Sequence, residues 1–593
     1  MPNPSLARTV EPVGNTKLMT IGAEWGLAVS LGLIGSIGIL YISSYLILLT
    51  RLPFRPLTII SVAMLMIAGL LLWGKLVKQM KWRSLGATLL LVGVFLVLSV
   101  WVSGLIYDTS FDGQGYHQLA AYSIHNGWNP FYQPDYLDSI WVKHYPKGIW
   151  VLAAAIYSLT GHLEYAKAIN LILMTASFCA VLGALMKVWS LYEKKEFVGP
   201  MSYLHPLIVF LVAACAACNP VTVVQLLTNY NDGAIASLLL TLISAGIYYV
   251  FTFDRRALAI AAIAVGFLVN IKFTAIAYAG LICAWLVVTL IILELRKGRA
   301  ISGKSGRRLL QAWKQAPVLR AISVLLCSAL IGLLVFGWNP YVTNTLKYGH
   351  PFYPLAGNNA LDIMTLNSPD NFIGHSRFKT FLLSLTSKTD DVITPASSAR
   401  AELWPIPWDD FQKVNVDTRV AGFGPLSPWI LIGSACLWAL LCVFRIKKGV
   451  VSTLLILALL TTVFINPEPW WVRYVPQLWL VPLIIVIMGW WSQQRFVQAI
   501  ALLLLFVCCT DALKSADFIF HLQVRQSEQV RHQLSGLEGK QLTVYPNGFI
   551  SLMVRLKERD IAFTVVADQT KLRCLNPVPF AFTPALYCES TGE

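Results

Sequence analysis

The feature that most constrains this 593-residue chain is its succession of long apolar runs. Many approach the ~20 apolar residues that a helix needs to cross a ~30 Å hydrocarbon core. Hydrophobic residues make up 56% of the chain and charged residues 13%, whereas about a quarter of a soluble domain is charged. The expected fold is therefore an all-α polytopic membrane protein. Transmembrane helices are predicted at about 26–49, 57–73, 85–106, 165–189, 203–218, 234–253, 256–272, 274–294, 320–337, 427–444, 450–465, 474–491 and 496–512, thirteen in all.

The net charge of +16 points away from nucleic acid once its distribution is considered. Lys and Arg cluster in short loops between spans, and there is no basic soluble domain to bind a polyanion. The clusters are Lys75 to Arg83, Lys187 to Lys195, Arg255 with Arg256, Arg296 to Arg320, and Arg445 to Lys448. Under the positive-inside rule these loops are cytoplasmic. The N-terminal segment 1–25 is then cytoplasmic and the C-terminus lies outside, with Arg51 and Arg55 on the wrong side. The first apolar run is too long for a signal peptide and is expected to stay as an anchor. A bacterial inner membrane suits this pattern.

Within the membrane domain, 26–512, the run Gly148–Thr160 is short and has no basic cluster after it. It reads as an interfacial or re-entrant helix, and Gln114–Asn126 as a second one. Three outer regions result: 107–164, about 339–426, and the tail from 513 to 593. In the tail, Gln541–Tyr545 and Ile561–Val566 read as strands flanking a helix near 549–558, a small α/β module. Most of the 11 cysteines lie in apolar runs. Cys215 and Cys218 have C-x-x-C spacing but sit in a span, as small packing residues. Cys574 and Cys588 lie in the polar tail and pair as a disulfide in an oxidising compartment, or remain two free thiols.

The segment Tyr107 to Lys147 gathers Asp108, Asp112, Asp135, Asp138, His117, His125, His144, Lys143 and Lys147 beside the membrane surface. Ionisable groups concentrated there are candidates for chemistry. Asp112, in the Gly-flexible run DGQGYH with Tyr116 and His117, can act as a general base toward an acceptor hydroxyl. The alternatives are a solvated carboxylate, a helix N-cap, or Asp108 as the base. Lys147, after His144, can grip a phosphate or simply snorkel. Asp232 precedes a span. Lys272 interrupts an apolar stretch, as a tight turn or a functional cation. Arg473, in WWVRY, can fork onto a phosphate or pair with Glu468 inside an aromatic belt. Asp417 to Pro425, which includes Arg419, is a lip over a cavity or a turn-rich linker.

In this order the motifs resemble the GT-C superfamily of membrane glycosyltransferases, with parallels to aminoarabinose transferases and protein O-mannosyltransferases. Asp112 in FDGQGYH matches the family's acidic base in the first large outer loop. Lys147 in YPKG matches a Lys that contacts lipid-linked phosphate. Lys272 in NIKFT, NPYVTNTLKYGHPFYP from Asn339 and WWVRYVP from Trp470 match later outer turns. The resemblance implies transfer of a sugar from a polyprenyl-phosphate donor to a glycan, lipid or protein acceptor, with inversion. Its single acidic motif leaves use of a divalent metal open. A polysaccharide polymerase or ligase, a secondary transporter and a noncatalytic scaffold are the rival readings.

Overall fold

A chain segment in lipid must satisfy its backbone amides internally, so apolar runs of span length fold as helices. The computed structural model describes residues 14–76, 82–134, 139–196, 204–299, 317–358, 360–387, 416–417, 419–420 and 423–589. Asp135, Asp138 and parts of the basic loops and of the 339–426 region lie outside these residues, as do Thr418, Ala421 and Gly422. Among the described residues, nine helices are long and apolar enough to cross a membrane. Each coincides with a predicted span. The other four predicted spans are helices too, at Pro56–Leu76, His205–Ala217, Arg255–Leu268 and Leu480–Trp490.

The bundle is held by close backbone approach as well as by side chains. Gly26 and Gly183 face one another across the Gly14–Leu49 and Ala168–Glu196 helices, and a Cβ on Gly26 would lie 2.8 Å from the Gly183 nitrogen. Small residues permit such contact where lipid supplies no hydrophobic drive to associate. Asp254 caps Arg255–Leu268 by accepting the Arg256 N–H at 2.8 Å. An Arg256–Glu24 pair at 2.7 Å ties this end to the first helix. That helix begins at Gly14 rather than near 26, because Met19 and Ala23 are already buried in the bundle.

The Gly148–Thr160 helix, expected to be interfacial or re-entrant, is enclosed by protein. Eleven of its thirteen residues are buried, as its uniformly apolar composition requires. The last span does not end near 512 but runs on as one helix, Arg495–Leu537. At 1.5 Å per residue it is about 65 Å long, roughly twice a hydrocarbon core. Its extension is amphipathic: Ala512, Ser515, Ile519, Gln523, Ser527, Val530, Leu534 and Leu537 are buried at helical spacing.

That extension carries the C-terminal module. A four-stranded sheet, β1 (Gln541–Tyr545), β2 (Ala562–Val565), β3 (Val578–Pro579) and β4 (Leu586–Glu589), has the order β2-β1-β4-β3. β1 and β2 are parallel, joined through the Leu552–Glu558 helix, and β4 is antiparallel to β1 and β3. Val530 and Leu534 of the long helix pack against Leu542, Val544 and Leu556 of the module. A disulfide joins Cys574 and Cys588, with Cα atoms 5.8 Å apart.

Candidate active site

One cavity of about 470 Å³ opens at the ends of the helices. Its walls come from the 109–117 loop, the start of Asp232–Thr252, the turn at 271–272, residues 416, 417 and 419, the 471–474 turn and the upper part of Arg495–Leu537. Of the residues nominated from sequence, Asp112, Tyr116, His117, Asp232, Lys272, Arg419 and Arg473 all line it.

Local structure explains how each arrives. Lys272 sits where Arg255–Leu268 ends and Phe273–Arg299 begins. The break is pinned by Asn270, whose side-chain amide donates to the Tyr41 and Tyr45 hydroxyls at 2.7 and 2.8 Å. The Asn270 carbonyl accepts the Gly148 N–H at 2.9 Å, and a Cβ on Gly148 would approach that oxygen to 2.5 Å. Glycine is therefore required at 148. Arg473 lies in the short 3₁₀ turn Val472–Tyr474, tied to Arg419 by the Val472 N–H donating to the Arg419 carbonyl at 2.9 Å.

Arg473 is the hub. Its guanidinium lies 2.9 Å from Asp417, 3.5 Å from Asp232 and 3.8 Å from Asp112. Tyr230, Trp471 and Tyr474 present ring faces to it at 5.0 to 5.4 Å, cation–π contacts that hold a cation in an apolar wall. Lys272 donates to Asp232 at 2.5 Å and lies over the Tyr474 ring. Arg419 donates to Asp417 at 3.1 Å and to Asn367 at 2.8 Å. Three carboxylates thus face three cations.

Asp112 differs from the other two acids. Asp232 has Lys272 and Asp417 has Arg419, but among the described residues Asp112 has only the longer contact to Arg473. Its side chain makes no capping bond at the start of the Gly113–His117 turn and is 25% exposed to the cavity. Burial raises its pKa above the ordinary carboxylate value. Arg473 and Lys272 oppose that shift, while Asp417 and Asp232 reinforce it. A carboxylate so placed can accept a proton.

His117 is a hydrogen-bond donor rather than a titrating acid. The Trp150 indole N–H donates to His117 Nδ1 at 2.7 Å. An indole nitrogen can only donate, so Nδ1 accepts and the ring proton resides on Nε2. Burial, with the nearby Lys272 charge next, lowers its pKa to about 3.

Three nominated residues stand elsewhere. Asp108 is 1% exposed, and both oxygens are engaged. Oδ1 accepts from the Ser110 N–H and hydroxyl at 2.9 and 2.5 Å. Oδ2 accepts from the Asn229 backbone and side-chain amides at 2.7 and 2.8 Å. It organises the loop and has no free direction toward a substrate. Lys147 is 1% exposed and donates to the Lys143 carbonyl, the Tyr145 carbonyl and Asn339 Oδ1 at 2.9, 2.5 and 3.0 Å. All three ammonium protons are used, and burial lowers its pKa well below the lysine range. His144 Nδ1 lies 2.8 Å from Asn344 Oδ1 and joins the Ile140–His144 and Thr343–Tyr348 helices. The Glu468–Arg473 pair does not form: Glu468 accepts from Trp470 Nε1 at 2.7 Å instead.

Tyr230 belongs to the site without having been nominated, whereas Asp417 was read only as part of a lip or linker and Trp471 and Tyr474 only as part of an aromatic belt. Asp417, two residues before Arg419 in a polar segment, was within reach of sequence reasoning. The aromatics were not, since most aromatics in this chain only pack.

A divalent cation does not suit this donor set. The point among Asp112, Asp232 and Asp417 where an ion would sit is taken by Arg473. Among the described residues, no group of three His, Cys, Asp or Glu is placed to hold a metal ion.

No protein-family model, curated protein or solved structure matches the chain.

Proposed function

We propose that this chain is an integral-membrane glycosyltransferase of GT-C type, with about thirteen spans. It moves a sugar from a polyprenyl-phosphate donor to an acceptor hydroxyl of a glycan, lipid or protein. The observation that carries the reading is the meeting of Asp112, Lys272 and Arg473 in one cavity at the span ends. A lipid-linked headgroup must be presented at that depth, since its polyprenyl tail stays in the bilayer. The basic clusters at Arg255–Arg256 and Arg445–Lys448 lie at the opposite end of their helices, so the positive-inside rule turns the cavity away from the cytoplasm.

In the proposed reaction Asp112 takes the proton of the acceptor hydroxyl. The resulting oxygen attacks the anomeric carbon from the face opposite the phosphate. The carbon–oxygen bond to phosphate breaks, and polyprenyl phosphate leaves with the bonding electrons. Lys272 and Arg473 stabilise the charge that develops on the leaving group. A single in-line displacement inverts the anomeric centre. His117 Nε2–H offers a neutral donor to a sugar or phosphate oxygen. Lys147, with its protons committed, has no part in this scheme. A secondary transporter would place its ionisable groups near the bilayer midplane, on broken helices; the cavity residues here lie at helix ends and in the turns between helices, which supports the transferase reading.

The test is Asp112→Asn, assayed with a panel of polyprenyl-phosphate sugars and with polyprenyl phosphate as binding probe. Removing basicity should lower turnover by at least ~10²-fold while binding of the probe persists. Normal turnover in the Asn variant would remove Asp112 from the mechanism.

A further inference from the structure

Among the described residues, the C-terminal sheet and its helix contribute nothing to the cavity wall, yet they grip the loop on which Asp112 sits. The gripping side chain is Arg555, on the Leu552–Glu558 helix and 4% exposed. Arginine is almost never so buried unless paired. Its Nε and Nη2 donate to Glu164 Oε1 at 3.1 and 2.8 Å. Nη1 donates to Gln114 Oε1 at 2.8 Å, and Nη2 also reaches the Asp108 carbonyl at 2.5 Å.

The other ends of these contacts are equally fixed. Glu164 accepts the Asp108 N–H at 3.0 Å and a bond from Lys167. The Gln114 side-chain amide donates to the Phe582 carbonyl at 3.0 Å, and the Ser551 hydroxyl donates to the Gln114 carbonyl. Asp108 and Gln114 bracket Asp112 in sequence. Phe549 closes the same side, its ring 5.2 Å from Phe111.

Stability alone is a poor reason for such a clamp. Apolar packing of similar volume is often as stabilising as a buried ion pair or more so. What a planar guanidinium adds is fixed geometry, because several forked bonds at once admit few arrangements. The held segment needs it. It contains Gly113 and Gly115, and Asp112 makes no capping bond of its own.

We propose that Arg555 is a positioning residue, and that the docked C-terminal module is a structural part of the active site, setting where the Asp112 carboxylate stands. The functional half of this proposal rests on Asp112 being the base.

The test uses the full-length protein in detergent and compares Arg555→Gln with wild type by amide hydrogen exchange and turnover. Exchange across 108–117 should accelerate at least ~10-fold, while amides of the Asp232–Thr252 helix stay protected. Turnover should fall by at least ~10-fold with the donor KM within about twofold, since small displacements of a reacting group cost rate rather than remote binding. Ser551→Ala, which removes one bond to Gln114, should give a smaller change of the same kind and serves if Arg555→Gln does not fold. Unchanged exchange in 108–117 overturns the clamp. Faster exchange with undiminished turnover, where Asp112→Asn is inactive, overturns the positioning role. Undiminished turnover in Asp112→Asn instead strikes the assigned base and leaves the exchange result to decide the clamp.

Discussion

Under the proposed mechanism, replacing Arg473 with Gln should move the acid limb of the turnover profile to higher pH. The guanidinium lies within 3.8 Å of three carboxylates. At an effective dielectric of ~20, two unit charges ~4 Å apart attract by about 4 kcal/mol, so the gross attraction to the three is on the order of 10 kcal/mol. Desolvation cancels much of it. Without Arg473 the acids must share fewer cations. Asp232 keeps Lys272 at 2.5 Å and Asp417 keeps Arg419 at 3.1 Å. Asp112 keeps no cation as near, so it takes the proton. The sign follows from its present environment. Burial already raises the Asp112 pKa, and Arg473 is the strongest influence lowering it. Losing Arg473 raises that pKa further. A general base works only when deprotonated, so a higher pH is then needed for the same rate. The assay is the initial rate of polyprenyl-phosphate release from pH 4 to 9, for wild type, Arg473→Gln and Arg473→Lys. The Lys variant retains a cation and should restore much of the limb, but not the forked contact. An acid limb that stays in place in a folded Arg473→Gln protein would refute the electrostatic account and the choice of Asp112.

Three other outcomes are expected. Lys272→Ala should weaken binding of polyprenyl phosphate, whereas Lys147→Met should leave it unchanged and lower the melting temperature, because stranding three buried acceptors costs about 1–3 kcal/mol each; titration and thermal melts separate the two. Changing Cys574 and Cys588 together to Ser should destabilise the module by roughly 3 kcal/mol through its lost loop constraint, read as faster proteolysis around the 14-residue separation. Reporter fusions after Arg299 and after Lys571 should report opposite sides of the membrane, and agreement between them would overturn the topology.

Much of the scaffold was legible because it depends on local pattern. Apolar runs of span length, the break at Lys272 and the strand–helix–strand order of the tail each reveal themselves within a few residues. The long terminal helix shows where that reading stopped early. Beyond Ala512 the apolar density falls while a helical stripe from Ser515 to Leu537 persists, and periodicity rather than hydropathy was the signal to follow.

What the sequence by itself determined is the membrane-spanning character, the positions of the helices and the set of charges held at their ends. The tertiary structure alone decided which of those charges remain available. Asp108 and Asp112 share one loop, yet Asn229 saturates the first from 121 positions away. Lys147 and Lys272 look alike in sequence, yet Asn339, 192 positions on, takes the last proton of Lys147. Arg555, in the soluble-looking tail, closes on a loop 441 positions earlier. A helix is set by neighbours along the chain. Whether a buried polar group is already satisfied is set by atoms that only folding brings within 3 Å, and it is that satisfaction which separates a structural charge from a reactive one.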